Sequence, residues 1–600
     1  MADRIPERSE IAAQDKWAIE DLYQSAENWE QDLEKLKSIG EKLPGFAGLL
    51  STDAAKLLEY QRLGDEMSVL IDALGNYAQR KSDEDTRDSF YQGMCGKLMK
   101  TLVAISAATS FEIPEILSIS DETMERFYEA QPALELYRRA FDNVRRKRAH
   151  ILSEREERIL ALSGDFSGSP EQIFSMFNDA DVKFEDAADK YGELHPVSQG
   201  TFIPCMESSD RVLRQNAFKS LYASYGAFRN TVAGMLSAQV KNLEFKAKAR
   251  NYTSALDASL DGTNVPTEVY HNLIAAVHEN IDKLHRYVGL RKKLLGVSDL
   301  HFYDLYTPLV PDVDKKIDFE DAKKTVREAL CCMGEDYLAI LDEGFRNRWI
   351  DVYENVGKTS GAYSAGARVH PFVLLNYAGT LDSQFTLAHE MGHAIHSYLS
   401  NKNQPVCYSD YVIFVAEVAS TCNEALLMQY LLNKTTDKNE RAYLINYFLE
   451  QFRGTLYRQT MFAEFELRMG ELNAQGVTLT ADVLCEEYRK LNEFYFGSDI
   501  VIDEEIALEW ARIPHFYYDY YVFQYATGYA AAIALSNGIL AEGKPAVERY
   551  LQFLSGGCSR DPIDLLKLAG VDMTTAAPVN AALELFGKLL DEMEELMDHE

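Results

Sequence analysis

The segment His389-Glu-Met-Gly-His393 constrains this chain more than any other, because its two histidines can act together only on a helix. It fits the pattern H-E-x-x-H, in which residues four apart share one face of an α-helix. His389 and His393 would then reach one zinc ion at Zn–N distances of about 2.0–2.1 Å. Glu390 lies between them and can handle a proton of a water at the metal without ligating the ion. The motif therefore predicts a helix and a zinc hydrolase.

The residues around the motif also predict a helix. Asp382 or Ser383 is suited to be its N-cap. One face carries apolar residues at helical spacing, namely Phe385, Ala388, Met391, Ile395 and Leu399. The opposite face carries Thr386, His389, His393 and His396. A helix of this kind suits the buried wall of a polar cleft.

A short pattern of this kind also arises by chance. With 12 histidines in 600 residues, a random H-E-x-x-H is expected in roughly a few per cent of chains of this size. Coincidence is the alternative to a metal site, and a third ligand elsewhere in the chain is needed to decide between them, because a catalytic zinc site has three protein ligands and an open position for water.

Glu417 is the strongest candidate for the third ligand, because it is a single carboxylate inside the apolar stretch 414–421. An unpaired buried carboxylate is costly, so a cation is expected beside it. That cation is either the metal or an Arg or Lys in a buried salt bridge, and the two histidines upstream favour the metal. Glu424, two turns further along, either accepts a hydrogen bond from a ligating histidine or is an ordinary helix carboxylate.

Several segments together resemble a known family. AHEMGHAIH, followed by FVAEVASTCNEALL, resembles the zinc site of the oligoendopeptidase F branch of the thimet-oligopeptidase family. Residues 356–366 resemble its Gly-rich loop over the active site, 370–379 its substrate-flanking strand, and 513–528 its C-terminal His/Tyr segment. The start of the chain, 8–23, is similar to the start of such proteins. The resemblance covers nearly the whole chain, in order.

The resemblance implies that His389, His393 and Glu417 hold one zinc ion per chain. It implies that Glu390 is the catalytic carboxylate, which takes a proton from the attacking water and passes it to the leaving amine. The substrates expected from this resemblance are oligopeptides, because the family's buried cleft excludes folded proteins.

The resemblance also implies a second group of catalytic residues. His515 and one or more of Tyr518, Tyr521 and Tyr525 would hydrogen-bond the substrate carbonyl as it becomes an oxyanion. Phe523 stands where similar sequences lead us to expect a tyrosine, so the choice among the three tyrosines stays open.

The pattern of the chain predicts a mostly α fold. We expect two helical lobes that enclose a deep active-site cleft, with a small β-hairpin or sheet beside the zinc helix; the family fold is of this kind. Segment 182–205 alternates enough to predict a small hairpin. We place the division near residue 200, with 1–200 as an N-terminal helical oligopeptidase lobe and 201–600 as the zinc metallopeptidase catalytic domain.

Two segments near the motif have possible roles in substrate binding. Residues 371–377 predict a short strand, and a peptide could pair with its free edge by β-augmentation. Residues 357–366 contain three glycines, at 357, 361 and 366. This segment is either a loop that closes over the substrate or an ordinary connection.

Composition excludes several classes of partner. A net charge of −33 and a pI of about 4.8 argue against binding nucleic acid through a basic face. The first residues contain no apolar core of a signal peptide, and no apolar run is long enough to span a membrane. The eight cysteines are scattered and form no C-x-x-C pair, which predicts reduced thiols in a cytoplasmic protein. The oligomeric state is left open.

Three functions compete at this stage. The first is a zinc-dependent endopeptidase for short peptides. The second is an exopeptidase of carboxypeptidase or dipeptidase type, which would need a cation to hold a terminal carboxylate. The third is a catalytically inactive peptide-binding protein, which the loss of Glu390 or of a ligand would indicate. Because Glu390 and all three candidate ligands are present, the sequence favours the endopeptidase.

Overall fold

The computed structural model describes residues 4–310 and 316–597. Helices dominate this part of the chain, which confirms the mostly α fold predicted from the sequence. In chain order the first helices are α1 (Ala26–Gly40), α2 (Ala54–Glu84), α3 (Ser89–Ala108), α4 (Glu112–Ser118), α5 (Asp121–Ala130), α6 (Arg138–Arg146), α7 (Glu154–Ser167), α8 (Ser169–Met176), α9 (Phe202–Glu207), α10 (Arg211–Ala227), α11 (Arg229–Ala249), α12 (Ala255–Asp261), α13 (Thr267–Glu279) and α14 (Ile281–Leu294). They are followed by α15 (Phe319–Ala329), α16 (Glu335–Arg346), α17 (Leu381–Asn403), α18 (Ile413–Lys434), α19 (Lys438–Gln451), α20 (Arg458–Ala474), α21 (Ala481–Phe496), α22 (Phe523–Glu542), α23 (Lys544–Leu554), α24 (Pro562–Leu568) and α25 (Ala577–Met597).

The strands of the described residues are short and form three small sheets. They are β1 (Ala187–Ala188), β2 (Leu194–His195), β3 (Leu300–His301), β4 (Ile350–Asp351), β5 (Tyr363–Ala365), β6 (Phe372–Leu374) and β7 (Ile500–Val501). β1 and β2 pair in antiparallel fashion inside the segment for which the sequence predicts a hairpin. β3 pairs with β7 in parallel, and the third sheet has the order β4-β6-β5.

Contacts within the chain group it into two compact units. Unit 1 comprises Met1–Ala149, Lys315–Leu427 and Leu535–Gly570. Unit 2 comprises His150–Asp314, Met428–Ala534 and Val571–Glu600. Each unit is assembled from three segments that are distant in sequence, whereas the division predicted near residue 200 is continuous. That division stays a prediction about functional domains.

An apolar core in unit 1 fixes the position of the three-stranded sheet. Helix α2 contributes the largest share of this core, and Phe372 and Leu374 of β6 join it with no exposed surface. The sheet also packs against α17 through β5 and β6. The small sheet beside the helix of the H-E-x-x-H motif is therefore confirmed.

β6 does not have the free edge that the sequence led us to expect. It is the middle strand, since Ile350 of β4 pairs with Val373 in parallel and Tyr363 of β5 pairs with Leu374 in antiparallel fashion. A pattern of apolar residues identifies a strand but carries no information about its neighbours. The edge strands of this sheet are β4 and β5.

The start of α17 also differs from the expectation that Asp382 or Ser383 is its N-cap. Thr380 is the N-cap, and its hydroxyl accepts a hydrogen bond from the Ser383 N–H at 3.1 Å. The Ser383 hydroxyl accepts instead from the Ala378 N–H, also at 3.1 Å. The usual capping geometry is a hydroxyl that accepts from the N–H two or three residues later, and Thr380 provides it.

Gly392, inside the H-E-x-x-H motif, lets α17 lie against the backbone of α18. A Cβ atom at Gly392 would lie 2.6 Å from Ser420 Cα, 2.7 Å from the Ala419 carbonyl oxygen and 2.9 Å from the Ser420 nitrogen. Real Cβ atoms do not approach backbone atoms so closely, so only glycine fits here. The apolar stripe predicted for α17 is confirmed by its burial, from Phe385 at 1 % exposure to Leu399 at 9 %.

In most membrane-spanning helices length and apolar content occur together. In the part of the chain that the structure describes, no single helix is both long enough and apolar enough to cross a membrane. One bent pair of helical segments, Ser89–Ser118 with Asp121–Ala130, reaches that length and apolar content only when the two segments are counted together.

Replacing Gly392 with alanine tests the contact between α17 and α18. We expect Gly392→Ala to lower the free energy of unfolding by about 1–3 kcal/mol or more, since the added methyl group must push two backbones apart. The matched control is Gly96→Ala in α3 of the same unit, where a Cβ meets nothing within 4 Å and helix propensity gives a gain of up to about 1 kcal/mol. Denaturant unfolding measures the free energy of unfolding of both variants. If Gly392→Ala were as stable as Gly96→Ala, the close contact between α17 and α18 would be contradicted.

Candidate metal centre and active-site residues

Three side chains on two helices of unit 1 form the candidate metal centre. His389 and His393 lie one turn apart on α17, and Glu417 lies on α18. The Nε2 atoms of His389 and His393 are 3.4 and 3.5 Å from the same Glu417 oxygen, Oε2. One potential ligand atom from each residue can be chosen so that all three lie within 4.8 Å of one another.

These distances fit a tetrahedral zinc ion. Ligands about 2.0–2.1 Å from a tetrahedral ion are about 3.3 Å apart, close to the distances from Glu417 to His389 and His393. Two imidazoles and one carboxylate also form a donor set that zinc accepts in catalytic sites, with a fourth position left for water or substrate. The residues that the sequence predicts as ligands are thus brought together.

A second group of potential ligands lies in the hairpin of unit 2 and has a simpler explanation. One potential ligand atom from each of Asp189, Glu193 and His195 can also be chosen so that all three lie within 4.8 Å of one another. The Asp189 carboxylate accepts hydrogen bonds from the N–H groups of Tyr191 and Glu193, both at 2.9 Å. This side chain therefore caps the turn between β1 and β2, and we assign no metal to it.

Opposite charges in the metal centre shift one another's pKa values. Burial alone would lower the pKa of His389, but the carboxylates of Glu424 and Glu417 outweigh it and raise the pKa well above the ordinary value. Burial alone would raise the pKa of Glu417, but His389 and His393 hold that pKa well below its usual range. The centre therefore keeps its carboxylate ionised.

Glu390 has a different environment from Glu417. Its side chain is buried, with 6 % of the residue exposed, and Oε2 has no hydrogen-bond partner among the described residues. Burial raises the pKa of Glu390, and His389 and His393 offset part of that effect. A carboxylate that is poorly solvated and close to two imidazoles has the properties of a general base.

Glu424 lies where a hydrogen-bond acceptor for a ligand is needed. Its Oε1 is 3.5 Å from Nδ1 of His389, whose other ring nitrogen points at Glu417. This geometry favours the first of the two roles considered from the sequence, orientation of the candidate ligand His389.

His396, on α17 with His389 and His393, is not part of the centre. It is 1 % exposed and stacks on Tyr411 with ring centroids 3.7 Å apart.

The Gly-rich loop, residues 357–366, is fixed at its beginning. The Gly357 carbonyl accepts hydrogen bonds from the N–H and hydroxyl of Thr86 at 2.7 and 2.9 Å. The Thr359 N–H donates to the Asp83 carbonyl at 3.0 Å. Gly361, by contrast, has a φ of +79° and nothing within 4 Å of a Cβ position. Residues 363–365 belong to β5 and pair with β6, so the loop is held at both ends.

A buried charge network supports the base of that loop. The Lys358 ammonium, which is fully buried, lies 2.8 Å from Asp351 Oδ1. Arg8 donates two hydrogen bonds to the same carboxylate, at 2.8 and 2.5 Å, and one to Glu84 at 3.0 Å. Because breaking a buried ion pair by removing one partner costs about 3–5 kcal/mol, this network holds β4 and the loop together.

The second predicted group lies in unit 2, where the structure brings its members together. The His515 ring centroid is 5.5 Å from that of Tyr518, 6.4 Å from Tyr521 and 5.9 Å from Tyr525. The Tyr525 hydroxyl is 3.5 Å from His515 Nε2. Burial, and then the positive charge of Arg458, lowers the pKa of His515. A neutral imidazole among three phenols can donate and accept hydrogen bonds without carrying charge.

Comparisons with known proteins agree along the chain. The family model described as Peptidase family M3 matches residues 205–585, and the one described as Oligopeptidase F matches residues 115–184. The chain is 46% identical over 597 residues to oligopeptidase PepF of Bacillus subtilis (strain 168), covering 99% of this chain and 89% of the relative. It is 40% identical to an oligoendopeptidase F homolog of Lactococcus lactis subsp. lactis, with 98% of both chains covered.

Solved structures show the same similarity. A structure described as a putative peptidase from Chlamydophila abortus superposes with a TM-score of 0.91 at 35% identity, covering 99% of this chain and 100% of the other. Oligoendopeptidase-F from Enterococcus faecium superposes with a TM-score of 0.76 at 38% identity, covering 96% of this chain and 100% of the other.

Removing the negative charge of Glu424 tests its contact with His389. We expect Glu424→Gln to weaken zinc binding about 10- to 100-fold, because a neutral amide replaces the charged acceptor that makes the His389 ring a more basic ligand. Competition with a chelator of known zinc affinity gives the dissociation constant. The control is Glu320→Gln in α15, whose side chain is 82% exposed, and for which no change is expected. An unchanged affinity for Glu424→Gln would mean that the negative charge of this side chain does not strengthen zinc binding.

Proposed function

Since the chain belongs to peptidase family M3 and is a metalloendopeptidase of the oligoendopeptidase F type, we propose that it uses one zinc ion to hydrolyse internal bonds of short peptides. The observation that carries this proposal is the arrangement of His389, His393 and Glu417 on α17 and α18, with Glu390 beside them. Bound zinc would lower the pKa of a water molecule and polarise the scissile carbonyl.

Glu390 is the residue that moves the proton. As general base it takes a proton from the attacking water, and as general acid it returns that proton to the leaving amine. Its burial and the unpartnered oxygen Oε2 support this role, since a carboxylate with a raised pKa accepts and releases a proton more evenly near neutral pH.

His515 and the tyrosines are proposed to donate hydrogen bonds to the carbonyl oxygen as it becomes negatively charged. Their mutual packing supports a shared role, because donors that are held in place need no reorganisation when charge develops. Tyr518 is 44 % exposed and Tyr525 lies 3.5 Å from the His515 ring nitrogen. We leave the assignment open between Tyr518, Tyr521 and Tyr525.

β5 replaces β6 as the proposed partner of the substrate main chain. It has β6 on one side and no strand on the other among the described residues. A peptide added to that edge would be recognised through its backbone, so many different side chains would be tolerated.

A change of Glu390 to Gln tests the proton transfer. We expect Glu390→Gln to keep about one zinc per chain, because the ligands are unchanged, and to lose at least about 1,000-fold in kcat on a quenched fluorescent oligopeptide, because the base is gone. Asp382→Asn, at an exposed position in the first turn of α17, is the control and should keep activity. Full zinc with no cleavage of any peptide by the unaltered protein would instead favour the peptide-binding alternative.

Peptides with both ends blocked separate endopeptidase from exopeptidase activity. We expect a peptide of about eight to ten residues, acetylated at its N-terminus and amidated at its C-terminus, to be cut at internal bonds at a rate similar to that of the free peptide. The reason is that backbone pairing with β5 needs no terminal charge. Mass spectrometry of the products identifies the bonds. Cleavage of the free peptide alone would assign the activity to an exopeptidase.

A further inference from the structure

The segment between Tyr518 and Tyr521 has an unusual backbone. Asp519 and Tyr520 have φ values of +55° and +60°. This left-handed region is rarely entered by bulky residues, although Asp and Asn tolerate it better. Among the described non-glycine residues with positive φ, these are the only two that follow each other. A conformation of this kind persists only when its surroundings hold it.

Two side chains hold the Asp519 half of this turn. Gln239 of α11 donates from Nε2 to the Tyr517 carbonyl at 3.1 Å and to Asp519 Oδ1 at 2.8 Å. The Ser259 hydroxyl donates to the Asp519 carbonyl. Gln239 is 7 % exposed, so water competes little for the hydrogen bonds that its side chain donates.

Helix α20 holds the Tyr520 half. The Tyr520 N–H donates to Glu466 Oε1 at 3.1 Å. One turn further along the same helix, Gly470 leaves room for the phenol, since a Cβ there would lie 2.2 Å from the Tyr520 hydroxyl oxygen. The ring also meets Tyr270 edge to face, with centroids 5.8 Å apart. Both the backbone and the side chain of Tyr520 are thus fixed by α20.

Glu466 is energetically unfavourable at its buried position, which suggests that its carboxyl group has a structural role in the turn. It is 5 % exposed, and its Oε2 has no hydrogen-bond partner among the described residues. Burial raises the pKa of Glu466 well above the ordinary value, which favours the neutral form of the carboxyl group. An apolar side chain of similar size would stabilise this core better than a half-satisfied polar one. What Glu466 supplies is an acceptor for the Tyr520 N–H.

We propose that three positioning residues hold the Asp519–Tyr520 turn in its left-handed conformation. They are Gln239, Glu466 and Gly470, and together they are called the tyrosine seat. By doing so they keep the side chains on either side of the turn, Tyr518 and Tyr521, beside His515. This inference rests on the proposed function, in which those rings bind the substrate carbonyl. Because donors placed for the transition state act on kcat more than on KM, disturbing the seat should change mainly kcat.

Gly470→Ala tests the seat by adding one methyl group and removing no polar group. We expect kcat to fall about 10- to 100-fold, the loss that a misplacement of about 1 Å produces, with KM within about threefold and zinc content unchanged. Amide hydrogen exchange at residues 518–521 should become faster. Gly234→Ala in α11, where a Cβ meets nothing within 4 Å, is the matched control and should change neither quantity. Unchanged kcat and unchanged exchange in Gly470→Ala would overturn the proposal.

Two variants of Glu466 test the same seat without adding volume. Glu466→Gln keeps an acceptor for the Tyr520 N–H and should retain kcat within about threefold. Glu466→Leu removes the acceptor and should lower kcat about tenfold or more, with faster exchange at residues 518–521. Equal kcat values for the two variants would show that the carboxyl does not position the turn. This pair decides the question if Gly470→Ala does not fold.

A double-substitution series separates failure of the seat from failure of the proposed function. The parent carries Tyr518→Phe and Tyr521→Phe, which remove the phenol groups but keep the rings. If this parent has a lowered kcat and adding Gly470→Ala does not lower kcat further, the seat acts through those two phenol groups. If Gly470→Ala lowers kcat in the parent as much as in the unaltered protein, the seat does not act through them. If the parent keeps full kcat, the role of these tyrosines in the proposed function fails, whereas exchange at 518–521 still decides whether the seat holds the turn.

Discussion

The contact between α17 and α18 at Gly392 is the constraint on which the candidate metal centre depends. Backbone atoms of the two helices meet there, so Glu417, one turn before Ser420, is carried to the side of His389 and His393. Asn423 fixes the register by donating to the Ala388 carbonyl at 3.1 Å. A metal site tolerates only a few tenths of an ångström in its ligand distances, and rigid helices in contact provide that accuracy.

The two loops with proposed roles in substrate binding take their conformations from residues that are distant in sequence. Asp83, in the last turn of α2, and Thr86, just beyond that helix, fix the first part of the Gly-rich loop. Gln239 and Glu466, on two helices of unit 2, fix the turn after Tyr518. In both places the hydrogen-bonding partners lie in a helix or next to one, and support from such rigid elements makes a site more precise.

Much of the fold and of the metal centre was predictable because it depends on local spacing. Two histidines four residues apart specify one helical face, and a lone carboxylate in an apolar stretch indicated Glu417. The free edge assigned to β6 was wrong because strand neighbours lie far away in sequence. The Asp519–Tyr520 turn was not predicted, since its hydrogen-bonding partners on α11 and α20 are 54 or more residues distant. Glu466 did not stand out as Glu417 did, because a second carboxylate, Glu464, lies two residues before it and no motif pointed to its role.

Arg8 connects the beginning of the chain to residues more than three hundred positions away. Its guanidinium shares the Asp351 carboxylate with Lys358 and also binds Glu84. An N-terminal fusion or proteolytic trimming that displaced Arg8 would leave Asp351 with one cation and Glu84 without that partner. The loss would destabilise the beginning of the Gly-rich loop, where Lys358 lies. The first residues of this chain therefore help to hold in place the part of the molecule that is proposed to bind peptides.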